Sequence, residues 1–396
     1  MIDGEKCMDR AKGINNNDLK RRNRGLVLQL IATGESNTRV GLAKSSRLTK
    51  MSVTNIIDEF IHRNLVVEGE KDWEKKEFQG RNPSLLDLSS HAPKVVGVLI
   101  NRDYCAAILC DFQLNVIKTE RRELDYSDKE WLLENIYGLV DSMIEEENNI
   151  LGIGVASIGP LDVAGGVILS PPRFYGIKNL PLAALLKEKY GLPVFMDHQY
   201  NSAARAEKLF GCGKNFSSFV FVGVTNGIGA GIYLNGRILQ GQSGLGSELG
   251  HMSVDYKGIH CECGNFGCVE NYASTNVICS RAQAATGRRM TFEECCRYSE
   301  EAVIDQILKD AIDKLCSCLV SVSNLLNPEA IIMGHESVKL PDRYLTRMEE
   351  YINRYKLSEG YDHIQILKPH FGEESQLVGA ACNVLSKVFE GELLFE

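Results

Sequence analysis

At 396 residues the chain is too long for one hydrophobic core and is expected to form two or three domains. Its 44% hydrophobic and 24% charged content is that of a soluble globular protein. No apolar run approaches the roughly 18–20 residues of a membrane span, and the polar start MIDGEKCMDRAKGINNND does not read as a signal peptide, so a cytoplasmic protein is expected. The thirteen Cys are scattered and odd in number, which argues against a complete disulfide framework; where they cluster, metal ligation is the better reading. The net charge of −8 is unevenly spread. Residues 19–65 hold nine Lys or Arg against three acids, a surplus of six, leaving −14 for the remainder. A basic head on an acidic body implies that only the head meets an anionic polymer.

Residues 1–18 read as a loose polar arm. Leu26, Val27, Leu30 and Ile31 then recur at helical spacing. A second short helix is expected after Asn37 or Thr38, with Val40 and Ala43 inward. In TKMSVTNIIDEFIHRN, Val53, Ile56, Ile57, Phe60 and Ile61 form one apolar stripe at i, i+3, i+4, i+7 and i+8, with Thr49 as the expected N-cap. Lys50, Ser52, Thr54 and Asn55 lie off that stripe. Three short helices, the last with small polar residues at its exposed start, describe a helix-turn-helix. Lys50, Ser52, Thr54 and Asn55 are its candidates for base-edge contact, Arg47 and Arg63 for phosphate. LVVEGEKDWEKKEFQGRNPSLLDL is expected to fold as a hairpin wing carrying Lys71, Lys75 and Lys76. Together these define a winged domain over 20–82; the competing reading is a helical triplet with a solvated charged face.

From Pro93 the pattern turns α/β. KVVGVLI, AAILCDF and LNVIKT read as three strands, followed by a helix (WLLENIYGLVDSMIEEE), a strand (LGIGVAS) and, further on, the strand PVFMD. A second set opens with SSFVFVGVT and GAGIYLNGRILQ, whose Asn235-Gly236 is a strong hairpin signal. It closes with EAIIMG and IQILK. Two three-stranded openings, each followed by helices and parallel strands, predict two related lobes with a cleft between them.

The most specific segment is GSELGHMSVDYKGIHCECGNFGCVENYAS. His251, Cys261, Cys263 and Cys268 supply one imidazole and three thiols, a closed tetrahedral zinc set. With all four positions filled by protein, no place remains for an activated water, so the metal is expected to be structural; free core cysteines are the alternative.

GHMSVDYKGIHCECGNFGCVE resembles the signature of the ROK family (repressors, open reading frames and kinases). The similarity extends through LGIGVASIGPLD, KNLPL, AARAEKLFG, TNGIGAGI and LLNPEAIIMG. The N-terminal module and GRNPSLLDL resemble the family's repressor branch. The resemblance implies a two-lobed, actin-like and hexokinase-like body, in a dimer or tetramer. The first lobe then covers 93–200, completed by the C-terminal helix 376–396; the second covers 201–375, with the zinc site and dimer contacts. It also implies that Glu248, His251 and Glu270 contact sugar hydroxyls, with His198 and Gln199 at the same cleft.

The kinases of this family read roughly ENDANAAALAE around the catalytic base, whereas this chain reads DHQYNSAARAE. Gln199 stands at the position of the Asp, and an amide cannot take a proton from a sugar hydroxyl. Asp197 is a substitute only if the backbone is rearranged, since in extended chain it lies about 6–7 Å away. Asn101-Arg102-Asp103 replaces the Gly-Gly-Thr of the first phosphate loop, Leu99 replaces its Asp, and Gly334-His335 replaces a Gly-Gly. The second loop survives in part through Gly227, Gly229 and Gly231. These losses predict a sugar-responsive regulator of double-stranded operator DNA, without enzymatic activity. An active sugar kinase, and a regulator controlled by a protein partner, are the alternatives.

Overall fold

The structure, a computed structural model, describes residues 15–69, 84–123, 129–171, 174, 176–241 and 246–395. These form two compact units: one from the N-terminal region through Pro93 together with the chain from Leu385 onward, the other from Lys94 to Val384. The hairpin lysines Lys71, Lys75 and Lys76 lie outside the described residues.

The N-terminal unit contains α1 (Asn16–Ala32), α2 (Arg39–Ser46) and α3 (Lys50–His62), then an antiparallel pair, β1 (Val66–Gly69) and β2 (Leu85–Leu88). Each helix starts where an oxygen-bearing side chain can accept from its first free N–H groups. Asn15 and Asp18 form a reciprocal capping box, Thr38 accepts from the Gly41 N–H, and Thr49 from the Ser52 N–H. Each such cap contributes about 1 kcal/mol. Val27, Leu28, Leu42, Val53, Ile57 and Phe60 are fully buried between the helices. Val40, expected inward, is instead 62% exposed, and Leu42 is the buried residue of α2. Burial of Leu42, about 200° around the helix from Val40, sets this face, and the Arg39 guanidinium on the same side reaches Asp58 at 2.9 Å and Glu68 at 3.3 Å. With Arg39 turned inward, Leu42 and Ala43 at i+3 and i+4 share its face and Val40 points away.

The chain's last residues complete this unit. Phe395 stacks on Phe60 with ring centroids 5.7 Å apart, and Arg63 donates to the Leu394 carbonyl at 2.7 Å. A Cβ at Gly25 would stand 2.3 Å from the Phe389 carbonyl oxygen, so only glycine lets α1 cross there.

The larger unit holds two five-stranded sheets. The first contains β3 (Lys94–Ile100), β4 (Tyr104–Cys110), β5 (Val116–Glu123), β6 (Ile150–Ser157) and, after a small pair β7 (Leu161–Asp162) and β8 (Val167–Ile168), β9 (Val194–His198). Its order is β5-β4-β3-β6-β9. The second contains β10 (Phe219–Val224), β11 (Ile228–Leu234), β12 (Arg237–Ile238), β13 (Ala330–His335) and β14 (Gln365–Leu367), in the order β12-β11-β10-β13-β14. Both sheets thus run third, second, first, fourth, fifth, with antiparallel pairing up to the first strand and parallel pairing after it. The two lobes share one topology. Asn235 and Gly236, both at positive φ, make the hairpin expected of them. The strand expected from Leu114 begins only at Val116, because Leu114 sits at φ 61° in a turn where Asp111 accepts from the Gln113 and Asn115 N–H groups.

Alternation along β3 sends Val96, Val98 and Ile100 into one core with Leu132, Ile136 and Val140 of α4 (Lys129–Ile144). α5 (Leu182–Tyr190) and α6 (Gln199–Phe210) flank β9. In the second lobe come α7 (Glu270–Ala273), α8 (Thr275–Thr286), α9 (Phe292–Arg297), α10 (Ala302–Leu326) and α11 (Asp342–Tyr355). Ile304, Leu308, Leu315 and Leu319 of α10 pack with Val220, Val222, Ile331 and Met333. α12 (Ser375–Phe389) lies on the opposite face of the first sheet, so close that a Cβ at Gly154 would stand 1.8 Å from the Ala380 carbonyl oxygen. Among the described residues no helix is long and apolar enough to cross a membrane.

Candidate functional site

The segment 248–270 contains little regular structure, so its shape depends on short-range bonding. A single 3-10 turn (Leu249–His251) leads into a loop stitched by isolated bridges between Ser253 and Cys268 and between His260 and Phe266. Gly264 and Gly267 turn the chain at φ 92° and 70°. The result gathers all four expected ligands. His251 Nδ1 is 3.7 Å from Cys261 Sγ, Cys263 Sγ is 3.6 Å from Cys268 Sγ, and the four donor atoms lie within 4.8 Å of one another. Three thiols and an imidazole at this mutual distance can hold one metal ion. Only Cys263 is exposed.

On the body's first sheet, β9 ends at His198 and α6 begins at Gln199. His198 caps α6, its Nδ1 accepting from the Tyr200 N–H, and burial pushes its imidazole down to about 4 despite neighbouring Asp197. Gln199 is 5% exposed, and its Oε1 has no hydrogen-bond partner among the described residues. Asp197 accepts from the His198 N–H at 2.7 Å, from Asn201 Nδ2 at 3.0 Å and from Arg205 Nη2 at 2.9 Å. Both its carboxylate oxygens are thus engaged by donors of the same turn and helix.

Glu270 opens α7, and its Oε2 accepts from the Ile228 N–H at 2.9 Å. Glu248 presents a large part of its surface to solvent, yet its dense surroundings raise its carboxyl above the usual range, opposed by His251 and reinforced by Glu270. The Tyr200 hydroxyl is raised mainly by burial; Glu270 and Glu248 add to that, while a bond with Thr225 opposes it. Tyr200, Glu248 and Glu270 therefore lie within electrostatic reach of one another, with Tyr200 packed among Phe219, Phe221, Ala330 and Ile332 of the second sheet. Sequence reasoning missed Tyr200 and Thr225; the bulky ring beside Gln199, where the kinase pattern has Ala, was the available signal.

Tyr200 also accounts for two of the three surviving glycines. A Cβ at Gly229 would stand 2.0 Å from its ring, and one at Gly231 2.1 Å from its carbonyl oxygen. They seat α6 against β11. In the β3–β4 turn, the Asn101 N–H reaches the Tyr104 carbonyl at 2.9 Å, and the Arg102 N–H is taken by Asn101 Oδ1 at 3.0 Å. At the end of β13, His335 is held at φ 59° with both ring nitrogens buried and unpartnered among the described residues. Burial, with Lys339 and Arg121, holds its imidazole down at about 4. In the unfolded chain the ring ionises near 6.5, so its contribution is fully present above that pH and is lost as pH falls towards 4, by about 3 kcal/mol. His335→Asn is expected to flatten the drop in thermal midpoint between roughly pH 6.5 and 4.5. An unchanged pH profile in a scanning melt would refute that assignment.

In the N-terminal unit, Lys50, Asn55 and Arg47 are exposed, while Ser52 and Thr54 are half-buried. Arg47 ends α2 at φ 58°. Ser52 Oγ lies 2.9 Å from Thr49 Oγ1, as part of the cap. Arg63 is bound to the Leu394 carbonyl, pairs with Glu59 at 3.6 Å and lies over the Phe395 ring at 5.7 Å.

Comparison with known proteins gives this arrangement a context. The ROK family model matches residues 95–387. The chain is 27% identical over 388 residues to the xylose repressor of Caldicellulosiruptor bescii, covering 93% of this chain and 96% of that protein. A solved ROK family transcriptional regulator, described as a homolog of the E. coli MLC protein, superposes with a TM-score of 0.81 at 26% identity, covering 95% of this chain and 98% of its own. The ROK hexokinase from Thermus thermophilus superposes at 0.63 and 27% identity, covering 73% of this chain and 97% of its own. With the family model spanning well over half its length, the chain belongs to the ROK family.

Proposed function

We propose that this chain is a cytoplasmic, sugar-responsive DNA-binding transcription regulator, a repressor of carbohydrate-uptake or catabolism genes, whose body binds sugar without phosphorylating it. The observation that carries the reading is Gln199: an amide stands where a kinase needs a carboxylate, and Asp197, two residues earlier in the chain, is held by Arg205. Side chains in the Asn101–Asp103 turn and at His335 replace the backbone groups that would approach phosphate. The names of its relatives, among them a xylose repressor, support the same conclusion.

In this reading α1–α3 and the β1–β2 pair form a winged helix-turn-helix with α3 as recognition helix. Lys50, Ser52, Thr54 and Asn55 face base edges, and Arg47 faces phosphate. Arg63, engaged by the C-terminal segment, plays a smaller part than expected. A homodimer places two such heads in successive major grooves. Glu248, Glu270, His198 and Gln199 receive sugar hydroxyls, Gln199 with its unpartnered oxygen. His251, Cys261, Cys263 and Cys268 hold a structural zinc ion, a donor set that leaves no position for water. His251 ties that site to the pocket. Sugar releases DNA by favouring the conformation that binds DNA less well.

The test is an operator-binding titration with and without d-xylose and related sugars, alongside an assay for ADP formation. Operator affinity should fall with sugar and with salt, and no ADP should form. Lys50→Ala is expected to weaken operator binding by about tenfold and to relax the sequence preference at the base pair it faces. Steady sugar-dependent ADP formation by pure protein would refute the reading.

A further inference from the structure

The turn bearing His198 and Gln199 is held from behind by a buried polar network. Asp197, 3% exposed, takes the His198 N–H, and Ser202 Oγ donates to the His198 carbonyl at 3.1 Å, so the backbone of residue 198 is clamped on both sides. Both clamps lead to the same place. Arg205 bridges Asp197 to Asn383 Oδ1 of α12, while Asn383 Nδ2 donates to Ser202 Oγ at 2.9 Å and to the Val155 carbonyl of β6 at 3.0 Å.

Burying an ion pair is costly, since attraction repays lost hydration only when geometry and hydrogen bonding are nearly complete. Adhesion between α6 and α12 does not require it: the helices already touch so closely that a Cβ at Gly379 would stand 2.4 Å from the Ser202 backbone. What the network adds is direction, a fixed relation between the turn at 198–199 and residue 383. α12 itself belongs to the body through Val384, and its last residues, Leu385–Phe389, belong to the N-terminal unit, where α1 packs on the Phe389 carbonyl.

We propose that Arg205, with Asp197 and Asn383, is a positioning element that sets the ligand-facing turn and couples its state, along one unbroken helix, to the unit carrying α1–α3. The inference rests on the regulator reading for its ligand. No residue of the network touches sugar; it acts through His198 and Gln199.

The test uses the full-length chain, operator DNA and d-xylose. Arg205→Leu is expected to leave sugar-free operator affinity within about twofold while cutting the sugar-induced loss of that affinity about fivefold or more. Arg205→Lys, which keeps a cation for Asp197, should restore part of it. A purely structural role would lower the melting midpoint without changing this ratio, and a wild-type ratio in Arg205→Leu overturns the proposal. Should Arg205→Leu fail to fold, Asn383→Ala leaves the ion pair in place and carries the same expectations. Amide hydrogen exchange decides the matter independently of any sugar. Exchange should quicken by about tenfold both at 197–202 and at 383–389. A change confined to α6 overturns the coupling. If the wild type answers no sugar while Arg205→Leu shows both exchange changes, the result counts against the regulator reading alone.

Discussion

Cys263→Ser should abolish metal binding and lower the thermal midpoint by about 10 °C. Cys263 is the exposed member of the four-residue cluster, so the substitution removes a thiolate without opening a cavity. The segment 251–269 has few hydrogen-bonded bridges and no strand of its own among the described residues. Metal binding is therefore expected to supply much of its ordering, as it does in small metal-dependent folds. Losing one ligand of four is expected to remove about 3 kcal/mol, and each kcal/mol shifts the midpoint by roughly 2–4 °C in a unit of this size. Elemental analysis should give about one zinc per wild-type chain and almost none in the variant. Chelation should move the wild-type midpoint onto that of Cys263→Ser. Metal-free wild-type protein with an unaltered midpoint would remove zinc from this account.

Glu248→Ala should raise the sugar dissociation constant by about 10- to 100-fold and leave operator affinity unchanged. A carboxylate accepting from sugar hydroxyls makes charge-assisted bonds of about 1.5–3 kcal/mol. Glu248 is the cleaner choice of the two acids. Glu270 Oε2 already holds the Ile228 N–H, so its loss would leave that backbone donor unpaired and disturb β11. Calorimetry with d-xylose, or with whichever sugar a thermal-shift screen selects, measures the effect. Normal sugar affinity in Glu248→Ala would place the pocket elsewhere.

Much of the molecule was legible before its coordinates. The helix start after Asn37 or Thr38, the cap at Thr49, the stripe Val53–Phe60, the Asn235-Gly236 turn and the His/Cys cluster all depend on residues close in sequence, where spacing largely decides which side chains meet. Gln199 was equally plain, because replacing a carboxylate with an amide changes chemistry whatever surrounds it. Position-by-position reading failed where a distant group decided the outcome. Val40 turned outward because Leu42, on the opposite side of α2, fills the interior between the helices. That Gly229 and Gly231 make room for Tyr200 could not be read from their spacing.

The amino-acid order by itself determined the classes of element, the basic head, the His/Cys cluster and the amide at position 199, since each is set by local spacing or by side-chain chemistry. Only tertiary structure decided that the two sheets share one strand order, that Asp197 is spent on Arg205, and that residues 385–395 finish the N-terminal unit. Those contacts join positions up to several hundred residues apart, as Arg63 and Leu394 do. Close packing and buried charge pairing select such partners, and neither leaves a periodic trace in the chain.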